Sequence, residues 1–353
     1  MGAQSRAVQV GGLVMGGGAG VCIQSMTNTD TRDVENTLVQ INRLAEAGCE
    51  IVRISVYDEA CARAVRAIKD GCPIPLVADI HFDYRLAIFA AENGVDKLRI
   101  NPGNIGNKER VQKVADAARA HQIPIRIGVN MGSLSSQAEK QWGRTPRAMV
   151  ESALWEVAQL EEAGFDKIVI SAKASNVAET VQAYRLLAEQ TDYPLHLGVT
   201  EAGTLRMGRV KSAIGLGALL LDGIGDTLRV SLTADPVEEV YAAQDILKAV
   251  GMRRHGVEII SCPTCGRRTI DVEALALEVE NHARHITRPM TVAVMGCAVN
   301  GPGEAKSADL GLAGGGEEAL LFAKGKLLRK ISSDHMLEAL LAEMNKMNED
   351  GAS

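Results

Sequence analysis

Long apolar runs and aromatic side chains are both scarce in this chain of 353 residues. The longest apolar run, residues 213–221, is far shorter than the roughly 18 residues that a membrane-spanning helix needs. The first ten residues lack the apolar core of a secretion signal. With 46% apolar, 23% charged and 3% aromatic residues, the composition is typical of a soluble α/β protein. These features predict a cytoplasmic protein without a membrane partner.

Basic residues are also in deficit, since 38 Lys and Arg against 44 Asp and Glu give a net charge of -6. A nucleic acid is therefore not the expected main partner, although a local basic pocket is still possible. The glycine-rich stretch 8–25 lacks the Gly-Lys-Ser/Thr of a phosphate-binding loop. It predicts a glycine-turned hairpin that leads into a first strand.

A unit of apolar strand, polar loop and amphipathic helix then repeats eight times. The predicted strands are 21–25, 51–56, 75–80, 97–101, 123–129, 167–173, 194–200 and 227–233, and the helices are 33–47, 58–70, 83–93, 107–121, 146–163, 176–189, 203–220 and 236–249. Eight such units over roughly 250 residues predict a (β/α)8 TIM barrel. A doubly wound open sheet is the alternative, but its Gly-x-Gly-x-x-Gly turn is missing from the expected place.

A polar, glycine-flanked segment at 251–256 follows the eighth helix and predicts a domain boundary. Residues 1–252 would form the barrel, which we expect to bind the substrate, and residues 253–353 a small α+β domain that holds a metal. The second domain is predicted to contain strands at 257–261, 291–295, 309–312 and 319–324, with helices at 272–285 and 334–346.

Cations recur where the predicted barrel strands end, which is where the active sites of such barrels lie. Five strands carry one each: Arg53, Arg99, Arg126, Lys173 and Arg229. Residues two apart in a strand face the same side, so these charges can share one barrel mouth. Because isolated buried charges are strongly unfavourable, the five cations predict a bound anion, and a phosphate or diphosphate is the natural one.

Further polar residues accompany the cations at these strand ends: Asp79, His81, Asn130, Ser231 and, in a Thr-Glu-Ala-Gly stretch after strand seven, Glu201. A carboxylate that faces a cationic pocket is a candidate general acid or base, unless it only pairs with an arginine. His81 could bind the substrate or transfer a proton, or it could have a purely structural place.

Three of the seven cysteines fall in two glycine- and proline-rich stretches: Cys262 and Cys265 in C-P-T-C-G, and Cys297 in G-C-A-V-N-G-P-G-E. This arrangement predicts a metal site with three thiolates and a missing fourth ligand. A four-iron cluster is favoured, with Glu304 folded back by a Gly-Pro-Gly turn as the fourth, labile ligand. The alternatives are a structural zinc completed by His255, His282 or His285, and a dithiol redox pair.

Four more cysteines stand singly in the sequence and are predicted to be buried free thiols of a reducing compartment: Cys22, Cys49, Cys61 and Cys72.

Nine motifs in order cover essentially the whole chain: QSMTNTDTRDV, ADIHFDYRLA, LRINPGNIG, IPIRIGVNMGSL, SAKAS, GVTEAG, GIGDTLRVSLTADP, CPTCGR and GCAVNGPGEA. Together they resemble the bacterial 4-hydroxy-3-methylbut-2-en-1-yl diphosphate synthases of the two-domain form. The resemblance implies a TIM barrel followed by a [4Fe-4S] domain. It also implies an isoprenoid-biosynthetic oxidoreductase whose substrate is 2-C-methyl-D-erythritol 2,4-cyclodiphosphate.

The resemblance further assigns roles by matching motif. Cys262, Cys265, Cys297 and Glu304 would be the cluster ligands, and Glu201 would be the catalytic carboxylate. The diphosphate would be held by Arg53, Arg99, Arg126, Lys173, Arg229 and Ser231, with Asp79, His81 and Asn130 near the substrate. The resemblance also implies a head-to-tail homodimer, in which the cluster domain of one chain caps the barrel of the other, and reduced flavodoxin or ferredoxin as electron donor.

Two other classes of protein compete with this interpretation. One is a zinc-stapled, phosphate-binding barrel lyase or isomerase, which would need no electrons. The other is a siroheme-type reductase, which would need a fourth cluster cysteine and a tetrapyrrole.

Overall fold

The computed structural model describes residues 5–253, 256–283, 286, 288–297 and 299–349. The chain divides into two compact units, Met1–Met252 and Arg253–Ser353. Each unit has a hydrophobic core of its own. No helix among these described residues is long and apolar enough to cross a membrane.

Eight parallel strands form the wall of the first unit: β3 (Cys22–Met26), β4 (Ile51–Ser55), β5 (Leu76–Asp79), β6 (Lys97–Ile100), β7 (Ile125–Asn130), β8 (Ile168–Lys173), β9 (His196–Leu197) and β10 (Thr227–Leu228). They pair in the order β8-β7-β6-β5-β4-β3-β10-β9. A parallel bridge between Ile170 and Leu195 closes the ring from β8 to β9. The predicted (β/α)8 barrel is confirmed.

Helices return the chain from each strand to the next: α1 (Val34–Glu46), α2 (Glu59–Gly71), α3 (Tyr84–Glu92), α4 (Pro102–Ile105), α5 (Lys108–Ala120), α6 (Ser136–Trp142), α7 (Pro146–Glu162), α8 (Val177–Gln190), α9 (Leu205–Leu221) and α10 (Pro236–Ala249). Local sequence sets where they begin. Asp58, for example, accepts a hydrogen bond from the backbone N–H of Cys61 at the start of α2. The short helices α4 and α6 were not predicted.

A two-stranded hairpin, β1 (Val8–Val10) and β2 (Leu13–Met15), lies at the amino end of the barrel strands. Its side chains Val8, Val10 and Met15 pack against residues at the strand starts, including Ile51 and Val77. The predicted glycine-turned hairpin is therefore confirmed. It covers the end of the barrel opposite to the mouth where the cations lie.

The second unit is built on one five-stranded sheet in the order β11 (Val257–Ser261), β12 (Met290–Met295), β13 (Leu310–Gly314), β14 (Glu318–Ala323) and β15 (Lys326–Ser332). The first three strands are parallel and the last two are antiparallel. Its helices are α11 (Val272–Ala283), α12 (Gly301–Ser307) and α13 (Met336–Glu349), with a short 3-10 turn at Ser333–His335. Helix α12 and strand β15 were not predicted.

Candidate active site

One carboxylate organises three of the predicted residues at the barrel mouth. Asp79 lies opposite Arg99 in the strand register, and Arg99 donates a hydrogen bond of 3.0 Å from Nη1 to Asp79 Oδ1. The Nε atom of Arg53 lies 3.7 Å from Asp79 Oδ2, and His81 Nε2 lies 3.6 Å from the same oxygen. Asp79, Arg53, Arg99 and His81 thus form one contiguous network.

Burial and neighbouring charge act in opposite directions on this network. Burial raises the pKa of Asp79, but the charges of Arg53 and Arg99 and a hydrogen bond from His81 outweigh it and hold that pKa well below its usual value. Burial lowers the pKa of Arg53 to about 10, with Arg229 and Arg99 adding to the effect and Asp79 opposing it. At neutral pH Asp79 is therefore ionised and Arg53 is still protonated.

A second carboxylate, Glu239, was missed by the sequence analysis. It accepts two hydrogen bonds from Arg229, at 2.9 Å from Nε and 3.0 Å from Nη2, and one of 3.0 Å from Ser25. Glu239 lies on α10 among Val240, Ala243 and other buried residues. The sequence feature that could have identified Glu239 is a charged residue within the apolar face of a predicted helix. The expectation of five isolated cations was wrong, because Arg53, Arg99 and Arg229 have carboxylate neighbours.

Arg126 and Lys173 have no carboxylate within 4.0 Å among the described residues, although they are 1% and 8% exposed. Arg126 donates 2.8 Å from Nη1 to Ser171 Oγ, whereas its Nε and Nη2 atoms are buried without a described partner. Burial, followed by the charges of neighbouring arginines, lowers the pKa of both residues well below the ordinary values. The barrel lumen thus holds more positive charge than its carboxylates neutralise.

Two glycines make room for these cations. A Cβ atom on Gly128 would lie 2.6 Å from Arg99 Nε, and one on Gly198 would lie 2.4 Å from Lys173 Nζ. Both distances are far below van der Waals contact, so any larger residue would displace the cation. The sequence does not distinguish these glycines, because a glycine in or beside a strand shows nothing of what lies opposite it.

Glu201 lies on the rim of this mouth. Glu201, Gly203, Arg229, Ser231 and Glu239 line part of an open cavity of about 140 Å³. The backbone of Glu201 has φ 51°, a left-handed conformation that is uncommon for a residue other than glycine. Such strained conformations concentrate at functional sites. Asn130 ends β7 opposite Lys173, and its backbone N–H donates a hydrogen bond of 3.1 Å to Ser133 Oγ.

The three predicted metal-binding cysteines follow two neighbouring parallel strands. Cys262 comes directly after β11, and Gly296 and Cys297 come directly after β12, so the two stretches share one sheet edge. The backbone N–H of Gly296 donates 3.1 Å to Cys262 Sγ. Thr269, which the sequence analysis missed, ties the cysteine turn to this edge by donating from its backbone nitrogen to Gly296 O at 2.8 Å.

Backbone amides favour the thiolate form at this edge. Hydrogen bonds from the backbone of Asn300 and Val299 lower the pKa of Cys297 below its ordinary value. Hydrogen bonds from the backbone and side chain of Arg267 do the same for Cys265. Because iron–sulfur clusters are bound by thiolates, this donor set fits such a cluster.

The described residues do not form a closed metal cage. Within them, no three His, Cys, Asp or Glu side chains lie close enough together to hold a metal ion. The predicted Gly-Pro-Gly turn is also different, because Pro302 lies in the first turn of α12 and Glu304 follows in the same turn. His255 and His285, considered as zinc ligands, lie outside the described residues. His282 instead contacts Asn345, with its Nε2 atom 2.8 Å from Asn345 Oδ1.

Two other features of the described chain are separate from the cysteine edge. Cys22, Cys49 and Cys61 are buried and Cys72 is partly buried, as predicted for free structural thiols. A cleft of about 360 Å³ in the second unit is lined by residues of β15, the 3-10 turn and α13, including Arg329, Lys330, His335 and Glu338. It contains none of the cysteines.

Fold and site together define a TIM-barrel enzyme with a cation-rich lumen at the carboxyl ends of its strands, followed by an α+β unit with thiols at one sheet edge. The chain belongs to the GcpE family. Residues 5–244 match the GcpE TIM-barrel domain, and residues 258–346 match the GcpE protein C-terminal domain.

Curated relatives extend the match over nearly the full length. The 4-hydroxy-3-methylbut-2-en-1-yl diphosphate synthase (flavodoxin) of Caldanaerobacter subterraneus is 58% identical over 344 residues, which are 97% of each chain. The protein of the same name from Geobacter sulfurreducens is 56% identical over 348 residues, covering 98% of this chain and 99% of the relative.

Solved structures with little sequence identity share the barrel. The N-acetylneuraminic acid synthetase of Leptospira borgpetersenii aligns with a TM-score of 0.51 at 14% identity, over 70% of this chain and 91% of that one. The dihydropteroate synthase of Yersinia pestis aligns with a TM-score of 0.51 at 14% identity, over 70% of this chain and 99% of that one. At this identity the likeness concerns the fold alone.

Proposed function

We propose that the protein is an iron–sulfur oxidoreductase that converts 2-C-methyl-D-erythritol 2,4-cyclodiphosphate to 4-hydroxy-3-methylbut-2-enyl diphosphate. Two electrons and two protons enter, the ring C–O bond to phosphate breaks, and one hydroxyl leaves as water. The observation that carries the proposal is the excess of positive charge in the barrel lumen, in a chain whose relatives bear the name of this synthase.

The barrel cations would hold the diphosphate. Arg126 offers two buried donor atoms without described partners, and the amine of Lys173 has no carboxylate within 4.0 Å among the described residues. Arginine forks suit phosphate oxygens, and an anion would restore the charge balance that burial disturbs. Arg53, Arg99, Arg229 and Ser231 would add further contacts, with Asp79, His81 and Asn130 beside the substrate.

Glu201 would act as the catalytic acid. Its carboxyl group is exposed on the rim of the mouth cavity that Arg229 and Ser231 also line. From there it could deliver a proton to the departing hydroxyl oxygen of a substrate anchored by its phosphates. His81, in contact with Asp79 and Arg99, would assist in orienting the substrate.

Cys262, Cys265, Cys297 and Glu304 would hold one [4Fe-4S] cluster per chain. When bound, such a cluster supplies the electrons one at a time. The backbone N–H groups that favour the thiolate of Cys297 and contact Cys262 support the assignment. Reduced flavodoxin is the proposed donor, because the curated relatives carry flavodoxin in their names, and ferredoxin is the alternative.

The proposed assembly is a head-to-tail homodimer in the cytoplasm. Helix α9 supports an interface between copies, because it exposes an apolar stripe of Met207, Val210, Ile214 and Leu221 at helical spacing. In this assembly the cluster-bearing unit of one chain would cover the barrel mouth of its partner. The substrate would thereby be shielded from water during reduction.

The test is anaerobic turnover of the cyclodiphosphate by reconstituted protein with a chemical reductant. Glu201→Gln should keep the iron and acid-labile sulfide but lose activity, whereas Glu304→Ala should leave a labile cluster with little turnover. Unchanged turnover in Glu201→Gln would refute the role of this residue. Bound zinc without acid-labile sulfide would instead support the zinc-stapled lyase or isomerase.

A further inference from the structure

A methionine sulfur lies between two arginines of the barrel mouth. Met26 is the last residue of β3, and it is opposite Arg53 in the register with β4. Arg53 donates to Met26 Sδ from Nε at 3.1 Å and from Nη2 at 2.9 Å. From β10, the other neighbour of β3, the chain continues into Arg229, whose Nη1 atom lies 3.5 Å from the same sulfur.

The sulfur is the acceptor that directs Arg53. Among the described residues, the Nε and Nη2 atoms of Arg53 hydrogen-bond to Met26, while its Nη1 atom has no hydrogen-bond partner. Asp79 is farther away, with Oδ2 at 3.7 Å from Nε. The guanidinium plane is therefore held by its contact with the thioether, and one complete NH2 group is left for a ligand.

A thioether can direct these groups without cancelling their charge. It is a neutral, weak and polarisable acceptor, whereas a carboxylate in its place would neutralise one of the two cations. The charges of Arg53 and Arg229 repel each other, and Arg229 contributes to the lowered pKa of Arg53. Carboxylates occur instead on the outer sides of the pair, at Asp79 for Arg53 and at Glu239 for Arg229.

We infer that Met26 is a positioning residue of the anion site, whose thioether aligns Arg53 and Arg229 so that both present N–H groups to the same diphosphate. The inference rests on the proposed function, since it needs a diphosphate in the mouth. It adds a neutral residue to a site otherwise recognised by its charges. The sequence alone gives no reason to distinguish Met26 from the other eleven methionines.

The decisive variant is Met26→Leu in the full-length, cluster-loaded enzyme, because leucine keeps the apolar volume and removes the acceptor. We expect the KM for the cyclodiphosphate and the Kd for inorganic diphosphate to rise about tenfold, as for one lost hydrogen bond of a charged group. We expect kcat to change less than about threefold, since the reacting groups are untouched. Met26→Gln, which restores a neutral acceptor, should recover most of the affinity.

Matched controls separate this result from general damage. Met252→Leu alters an exposed methionine at the end of the first unit and should leave KM and Kd unchanged. An unaltered KM and Kd in Met26→Leu would overturn the inference, as would a loss confined to kcat. If Met26→Leu does not fold, Met26→Gln decides: affinity within about threefold of wild type supports the inference, and a tenfold loss overturns it. Failure of the wild-type protein to bind diphosphate would contradict the proposed function instead.

Discussion

Lys173 is buried at the end of β8 among positive charges, and this position has a consequence for binding. Burial and the charges of Arg126, Arg53, Arg229 and Arg99 lower the pKa of its amine well below the ordinary value. A bound diphosphate would stabilise the protonated form and raise that pKa. The enzyme should therefore take up a proton on Lys173 when it binds the anion at a pH between the two values.

We predict that diphosphate binding in this pH interval takes up a fraction of one proton on this account. Titration calorimetry in buffers of different ionisation heat measures the uptake. Lys173→Arg is the matched control, because a guanidinium keeps the charge and is protonated before binding. The variant should show less proton uptake than the wild type by that same fraction. Equal uptake in both proteins would contradict the assigned protonation of Lys173.

Gly198 gives the amine of Lys173 its space. A Cβ atom at this position would lie 2.4 Å from Lys173 Nζ and 3.0 Å from the carbonyl oxygen of Arg229. Gly198→Ala should therefore displace the amine and weaken diphosphate binding by about tenfold, as for one misplaced charge contact. Gly20→Ala, where a Cβ meets no atom within 4 Å, is the control and should bind as the wild type does. Calorimetric Kd values decide, and equal values would refute the steric argument.

The sequence predicted the cations of the mouth and Asp79 beside them, but not the second carboxylate, Glu239, or the neutral partners. Arg53, Arg99 and Arg229 stand out because charged residues in apolar strands are rare. Glu239 lies on a helix after the last strand, and the sequence does not say which arginine it meets. Met26 and Gly198 have no charge, so their effect depends on distances of a few ångströms that only the fold sets.

Helix α12 was the main error at the scale of elements. The sequence Gly301-Pro302-Gly303-Glu304 suggested a turn because glycine and proline usually interrupt helices. Proline is nevertheless favoured in the first turn of a helix, where no intrahelical N–H is needed.

Strand β15 was missed for a different reason. Six of its seven residues are exposed, so its sequence has no alternation of apolar and polar side chains.

Helix α12 packs on the sheet through a glycine. A Cβ on Gly311 of β13 would lie 2.3 Å from the backbone oxygen of Ala305 in α12. Gly311→Ala should push the helix, and Glu304 with it, away from the sheet. We expect a loss of about 1–3 kcal/mol in the stability of the second unit, as for other overpacked sites. Iron release to a chelator should be faster than in the wild type.

The control for this prediction lies on the same helix. A Cβ on Gly303 would meet no atom within 4 Å, so Gly303→Ala should release iron at about the wild-type rate. If Gly311→Ala also retains its iron normally, the packing of α12 does not govern the position of Glu304.

At the scale of the whole molecule, the repeat of eight βα units predicted the barrel because each unit has a clear periodicity and a helix start. The proposed dimer, in contrast to the barrel, cannot be predicted from the periodicity of the sequence. The sequence does not show which surface would contact another chain, because nothing in it identifies a partner for the exposed apolar side chains of α9. The proposed arrangement, with each catalytic centre shared between two chains, nevertheless makes a quantitative prediction.

Glu201→Gln disables the proposed barrel chemistry, and Cys297→Ala removes a proposed cluster ligand from the other unit. Each variant alone should be inactive. When both are coexpressed in equal amounts with different tags, half of the dimers should be mixed, and one of the two centres in each mixed dimer should combine an intact barrel with an intact cluster unit. We expect recovery of about one half of the wild-type activity, measured per mixed dimer after tandem affinity purification on both tags and reconstitution. If barrel and cluster of the same chain worked together, each centre of a mixed dimer would carry one lesion and no activity would return.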